Sequence, residues 1–413
     1  MILTLASKSL LNRKGSVLLT TIAMAVSLFV LLAVDHIRQQ TKNSFASTVS
    51  GVDLIVGSRT SSINLLLYSV FRIGSPTANV SWQSYENLTA HPKVAWAIPI
   101  SLGDSHKGYR VMGTTADFFS HFKYGKKHPL AFSSGKTFTG SFGAVLGSEV
   151  ANKLNYNVNT PMVLAHGIAA TSFAQHEQHP FKVVGILEPT GTPVDQTIMV
   201  SLQGIEAMHE NWQTGTRLNV SSEPEHHEQA LTPESITAAM IGLTSRMATF
   251  GVQRYIQQYK QEPLTAILPG VALSELWQIV GSVEKILELI SYLVLLASLL
   301  GLSAMLLASI RERHHEIQLL RVIGAPPWYI FFIVELEALL IALISSFISI
   351  VMLWALLMGF QSALSAEFAV QISVNVFSIK SLQILLLVLM ATVIAAAIPS
   401  VMAYRSALSI QKY

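Results

Sequence analysis

The chain has 413 residues, 51% of them hydrophobic and only 12% charged, with a formal net charge of +3. That balance excludes an ordinary soluble globular protein, in which about a quarter of residues are charged. There is no cysteine, which rules out disulfides, thiolate metal ligands and a cysteine nucleophile. The basic residues are scattered rather than gathered with aromatics, so nucleic-acid binding finds no support.

Residues 1–14 form a short basic start containing Lys8, Arg13 and Lys14, followed by an uncharged apolar run from Gly15 to Val34. At 1.5 Å per residue, that run covers a hydrocarbon core of about 30 Å. It is long and has no small-x-small cleavage site before Asp35, so a retained signal anchor is expected rather than a cleaved signal peptide. Residues 35–50 continue as a stalk, with Ile37, Thr41, Phe45 and Val49 at four-residue spacing.

Residues 51–270 read as a folded α+β domain. Strands are expected at Val49–Gly57, Tyr109–Gly113, Ala144–Gly147, Phe181–Leu187 and Thr197–Leu202, which are short β-branched runs bounded by Gly, Pro and Asn. Helices are expected at Ser81–Ala90 and Ser148–Leu154. A longer one is expected at Pro233–Lys260, where Thr232 precedes an N1 proline. Residues 212–269 could form an inserted subdomain. The stretch Gly135-Lys136-Thr137 is no phosphate loop, because Leu130 stands where the required glycine would be.

Eleven of the thirteen histidines precede residue 228. His176, His179, His226 and His227 lie beside Glu177, Glu225 and Glu228, donors that suit zinc or copper. The alternative is solvated surface histidines, and His176-Glu177-Gln178-His179 lacks the i, i+4 spacing of a metalloprotease helix. Nor is there a nucleophile elbow of the G-x-S-x-G kind, so the chain is expected not to be catalytic.

The chain returns through a stalk at residues 271–288. There Leu273, Leu276, Trp277, Val280, Val283, Leu287 and, just beyond it, Ile290 repeat at three- and four-residue intervals. Spans follow at 289–310, 328–360 and 381–401, separated by a charged loop at 311–327 and a short loop at 361–380, with a tail at 402–413. Basic residues Lys8, Arg13, Lys14, Arg311, Arg313, Arg321, Arg405 and Lys412 flank one face, whereas residues 361–380 offer only Lys380. The basic face is therefore expected in the cytoplasm with both termini, and residues 35–284 outside. Glu335 and Glu337 lie inside the third span, where pairing with Arg311 or Arg321, or snorkelling to the interface, would satisfy them.

The charged loop Arg311-Glu312-Arg313-His314-His315-Glu316-Ile317-Gln318-Leu319-Leu320-Arg321-Val322-Ile323-Gly324-Ala325 reads as a short helix with an apolar edge of Ile317, Leu320 and Ile323, stopped by Gly324, Pro326 and Pro327. Taken alone it could be a plain surface loop, but it closely resembles the RERxxEIxLLRxIGA stretch of FtsX-like permeases, the family of MacB, LolC, LolE and FtsX. Leu10-Leu11-Asn12-Arg13-Lys14, Glu337-Ala338-Leu339 and Pro399-Ser400-Val401-Met402-Ala403-Tyr404-Arg405 are similar to that family's opening, third-span and closing patterns. Gly51-Val52-Asp53-Leu54-Ile55-Val56-Gly57 and Phe181-Lys182-Val183-Val184-Gly185-Ile186-Leu187 resemble MacB-like periplasmic core strands.

The resemblance implies four transmembrane helices with a large extracytoplasmic α+β domain between the first two, in the inner membrane of a bacterium. It implies that Arg311, Glu312, Arg313, Glu316, Ile317, Leu320, Arg321 and Gly324 form a coupling helix. That helix would dock on a separate ABC ATPase, present in two copies and carrying the ATP and Mg. A second permease copy or paralogue is implied too, along with membrane lipid and an adaptor, lipoprotein or envelope enzyme outside. The work expected is mechanotransmission for export or extraction of a lipoprotein, peptide or amphiphile. The alternatives are FtsX-like control of an envelope enzyme, and a histidine-linked metal transport or sensing role.

Overall fold

The structure, a computed structural model, describes residues 2–409 except 49, 167–179, 210–231, 369–372 and 374. It divides into a membrane unit, Met1–Gln40, Val280–Ser362 and Ile372–Tyr413, and a domain unit, Thr41–Ile279 and Ala363–Gln371. Among the described residues, four helices are long and apolar enough to cross a membrane. They belong to the helices Lys14–Ser47, Pro269–Glu312, Pro327–Phe368 and Ile379–Ser409, here spans one to four.

The spans are knitted by small polar side chains, as expected where lipid supplies no hydrophobic drive between helices. Ser345 Oγ of span three donates to the Thr21 carbonyl of span one at 3.0 Å. Pro399 interrupts span four and lacks an N–H, so the Ala395 carbonyl four residues earlier is left without its helical donor. Ser303 Oγ of span two fills that gap at 2.9 Å. The gap in the helical ladder is thus closed by a neighbouring span.

Where span one turns polar, Arg38 pairs with Asp35 at 3.0 Å and with Glu288 of span two at 3.4 Å. His36, buried, donates from Nε2 to the Ser373 carbonyl at 2.9 Å. Asp35 and Glu288 bind one guanidinium from two helices, which ties the ends of spans one and two together.

The domain is built on a mixed sheet. Its strands run in the order Leu264–Ile267, Leu54–Ser58, Ala238–Leu243, Val94–His106, Tyr109–Thr114, Thr197–Ser201, Gly143–Leu146, Phe181–Leu187 and Phe132–Gly135. Two pairings are parallel, Thr197–Ser201 with Tyr109–Thr114 and Phe181–Leu187 with Gly143–Leu146; the others are antiparallel. Residues alternate between faces. Ile55, Met240, Met112, Met199 and Val145 enter one core with the helical segment Ser62–Phe71. Val111, Ala144, Leu146, Ile198 and Val200 enter a second. Leu54, Val56, Ala239 and Ile241 enter a third, shared with residues of the helices Trp82–Thr89 and Thr249–Gln257.

The expected strands and the two short helices appear close to the residues named for them. Residues 233–260 do not form the single helix expected from Thr232-Pro233. They hold the strand Ala238–Leu243, a one-turn segment and the shorter helix Thr249–Gln257. The Ala238–Leu243 strand lies between Leu54–Ser58 and Val94–His106 and is almost wholly buried, so sheet pairing overrides the local start signal. Asp53 fixes the junction: its Oδ2 accepts from Leu243 N at 2.8 Å, beside the bulge at Gly242. Gly242 is required there, since a Cβ would sit within 2.1–2.5 Å of the Trp96 indole.

Candidate coupling site

The charged stretch between spans two and three folds as the helix His314–Val322. Span two ends at Glu312, Arg313 takes a non-helical turn (φ −94°, ψ 14°), and the new helix starts directly after it. At the other end Gly324 adopts φ +98°, a left-handed conformation that favours glycine. Arg321 donates to the Ala325 carbonyl at 2.8 Å, closing the last turn before Pro327 opens span three.

Arg313 is the root of the site. Its guanidinium donates through Nε to Glu316 at 2.8 Å and through Nη1 to Glu337 at 2.8 Å. The Glu337 side chain is only 3% exposed, so this is a buried pair between the turn and span three. Burial alone would weaken the arginine's charge, but the two carboxylates more than offset it and hold its pKa above the usual value. Arg13 meets Glu312 at 3.2 Å, bringing the basic start of the chain to the same turn.

Neither Arg311 nor Arg321 holds the acids of span three, as the sequence led one to expect; Arg313 takes Glu337 because it sits at the turn and points back along the bundle. Glu335 is buried beside Ser400 of span four, and among the described residues its carboxyl oxygens make no hydrogen bond of ordinary geometry. It is neither snorkelled nor ion-paired.

The expected apolar edge is redistributed. Ile317 is buried against Leu306, Ile330, Ile333 and Val334 of spans two and three, around a small cavity next to Arg313 and Glu337. The outward apolar residues are Leu319, Val322 and Ile323, the last two each 82% exposed. The helix therefore has an inner face that seats it on the bundle and an outer face left open. Glu316 and Arg311 are exposed at the same level, and the Leu320 side chain lies outside the described ones.

His176, His179, His226 and His227 lie outside the described residues. Among the described residues, no group of three or more His, Asp or Glu could hold a metal ion.

Comparison with known families agrees with this layout. The MacB-like periplasmic core domain family matches residues 16–265, and the FtsX-like permease C-terminal family matches residues 288–408. The first match alone exceeds half the chain. The chain belongs to the FtsX-like permeases of ABC systems, with a MacB-like periplasmic core domain between its first two spans. Among solved structures it is similar to the periplasmic region of MacB from Actinobacillus actinomycetemcomitans, at 8% identity and a TM-score of 0.35, covering 55% of this chain and 94% of that one. It is also similar to the extracellular domain of the noncanonic ABC-type transporter YknZ from Gram-positive bacteria, at 12% identity and a TM-score of 0.31, covering 52% and 99%. The comparison with curated proteins gives no match.

Proposed function

We propose that this permease transmits ATP-driven movement from a separate ABC ATPase to its periplasmic core domain, to export or extract an envelope substrate such as a lipoprotein, peptide or amphiphile. The observation that carries the reading is the two-faced helix His314–Val322. Its inner face is locked to span three through Arg313 and Glu337, while Leu319, Val322 and Ile323 are presented outward. An exposed apolar edge on a short, braced helix suits a groove in a partner protein, and a braced helix passes on displacement that a loose loop would absorb.

The charge distribution supports the same arrangement. Lys8, Arg13, Arg311 and Arg405 flank the span ends on the side of the coupling helix, which supports a cytoplasmic assignment for that side and a periplasmic one for the domain. The central stretches of spans one, two and four carry no ionisable residue. A row of such residues would mark a hydrophilic path through the bundle. The substrate is therefore moved by the domain outside, with ATP and Mg held by two copies of the partner ATPase.

The test replaces the outward edge. In Val322→Asp and Ile323→Asp, each side chain already faces solvent, so membrane insertion and thermal stability are expected to stay as in the wild type, while co-purification of the ATPase and its stimulated hydrolysis are lost. Retained ATPase binding and full coupled hydrolysis in both variants would refute the docking role.

A further inference from the structure

At the end of the membrane unit where span one gives way to Asp35 and His36, a cavity of about 300 Å³ opens between spans one, three and four. Leu32 of span one, Ile350 of span three, and Leu382 and Leu385 of span four form its wall, and Val376 and Phe377 cover it from the segment entering span four. It sits at the lower end of the range for small-molecule sites, roughly 300–1,000 Å³.

Water is a poor occupant of such a space, and an apolar group is a good one. Its wall offers water few partners, and a void between packed helices forfeits the contacts of everything lining it. It is also open sideways, since Ile379 and Leu382 are 80% and 67% exposed on a helix apolar enough to face lipid. The rim is polar. Ser378 and Ser381 line the cavity with their hydroxyls 2.8 Å apart, and Lys380 stands between them in sequence, exposed and with no ion pair among the described residues. On span one, Leu32 is likewise followed within a turn by Asp35 and His36.

We propose that this groove is a binding site for one phospholipid. An acyl chain lies along Leu32, Ile350 and Leu382, and the phosphate is held at the rim by Lys380 with the hydroxyls of Ser378 and Ser381. An apolar slot ending at two hydroxyls, with the exposed Lys380 next in sequence to one of them, suits an anionic amphiphile whose charge sits at the membrane interface. The lipid completes the packing of three spans that the protein leaves unfilled, at the level where span one leaves the bilayer.

The full-length chain, purified in mild detergent and titrated with phosphatidylglycerol, is examined by native mass spectrometry. One tightly held phosphatidylglycerol per chain is expected. Ile350→Trp and Leu382→Trp fill the slot from two different spans and should each lower its occupancy about tenfold, the equivalent of roughly two methylenes of lost burial. Ile394→Trp, on an exposed part of span four outside the groove, should retain it. Lys380→Gln should weaken phosphatidylglycerol more than the zwitterionic phosphatidylethanolamine. The proposal fails if the wild type holds no lipid, if the groove-filling variants and Ile394→Trp lose it equally, or if the retained mass is that of a lipidated protein instead of a phospholipid.

Discussion

At the level of single residues, the pair Arg313–Glu337 makes the sharpest demand. The Glu337 carboxylate has left water and is tolerable only because Arg313 is there, whereas Arg313, partly exposed, keeps Glu316 as a second partner. Removing one partner of a buried pair costs about 3–5 kcal/mol, whereas replacing both by apolar groups of similar shape is often neutral. Glu337→Leu is therefore expected to lower the thermal midpoint of the detergent-purified protein markedly, and the double variant Arg313→Met/Glu337→Leu to recover most of the loss. Additive losses in the double variant would show that the pair is not an energetic unit. A second residue responds to pH. His106 is buried, with Nδ1 against the Val163 carbonyl at 2.6 Å and Nε2 against the Tyr156 hydroxyl at 3.0 Å. Burial pushes its pKa down, outweighing the carbonyl contact, with Lys107 adding to the fall. Nδ1–H donates to the carbonyl, so Nε2 accepts from Tyr156. Above the unfolded value of about 6.5 both states are neutral and the histidine contributes no pH dependence. As pH falls below it, the unfolded chain takes up a proton that the folded chain refuses, and stability drops. Denaturant midpoints measured between pH 7.5 and 5 should fall for the wild type and flatten for His106→Asn; parallel curves would exclude His106 as the source.

At the level of elements, legibility depended on whether a local pattern had a long-range competitor. The spans were readable because twenty apolar residues in a row have few other uses. Ser148–Leu154 was readable because its ends are set locally, by Gly147 in front and Asn155 in the left-handed conformation behind. Val94–His106, the long strand at the middle of the sheet, escaped notice because Pro99 and Gly103 interrupt its alternation; it is held on one side by Ala238–Leu243, far away in sequence, and on the other by its hairpin neighbour Tyr109–Thr114. The misread stretch after Thr232 failed for the same reason, since Ala-Ala-Met-Ile-Gly-Leu is fixed as a strand by its neighbours. In the helix His314–Val322, family likeness pointed to a candidate coupling site but not to which of its residues face in and which face out. That Ile317 faces inward and Val322 outward depends on how spans two and three pack, which no spacing within the helix contains.

At the level of the whole molecule, the proposed mechanism, displacement passed along helices, requires something for those helices to bear on. The stalk leading into span two keeps an apolar stripe that its own chain does not cover: Val280, Val283 and Leu287, at three- and four-residue spacing, are 38%, 57% and 47% exposed. Nearer the domain the same helix is engaged, with Trp277 edge-on to Phe45 at 5.8 Å and Phe45 stacked on Phe71 at 4.8 Å. The bare stretch therefore begins where intrachain packing ends, as expected if a second permease subunit supplies the missing side. Because the sequence has no cysteine, a single introduced thiol reports this contact without background. Val283→Cys in native membranes is expected to form a disulfide-linked species of twice the chain's mass on mild oxidation, and Lys285→Cys, about 200° further round the helix, should not. Equal cross-linking at both positions would mean random collision. No cross-link at Val283, in membranes where the ATPase still co-purifies, would assign the opposing stalk to a different chain and make the working assembly a heterodimer.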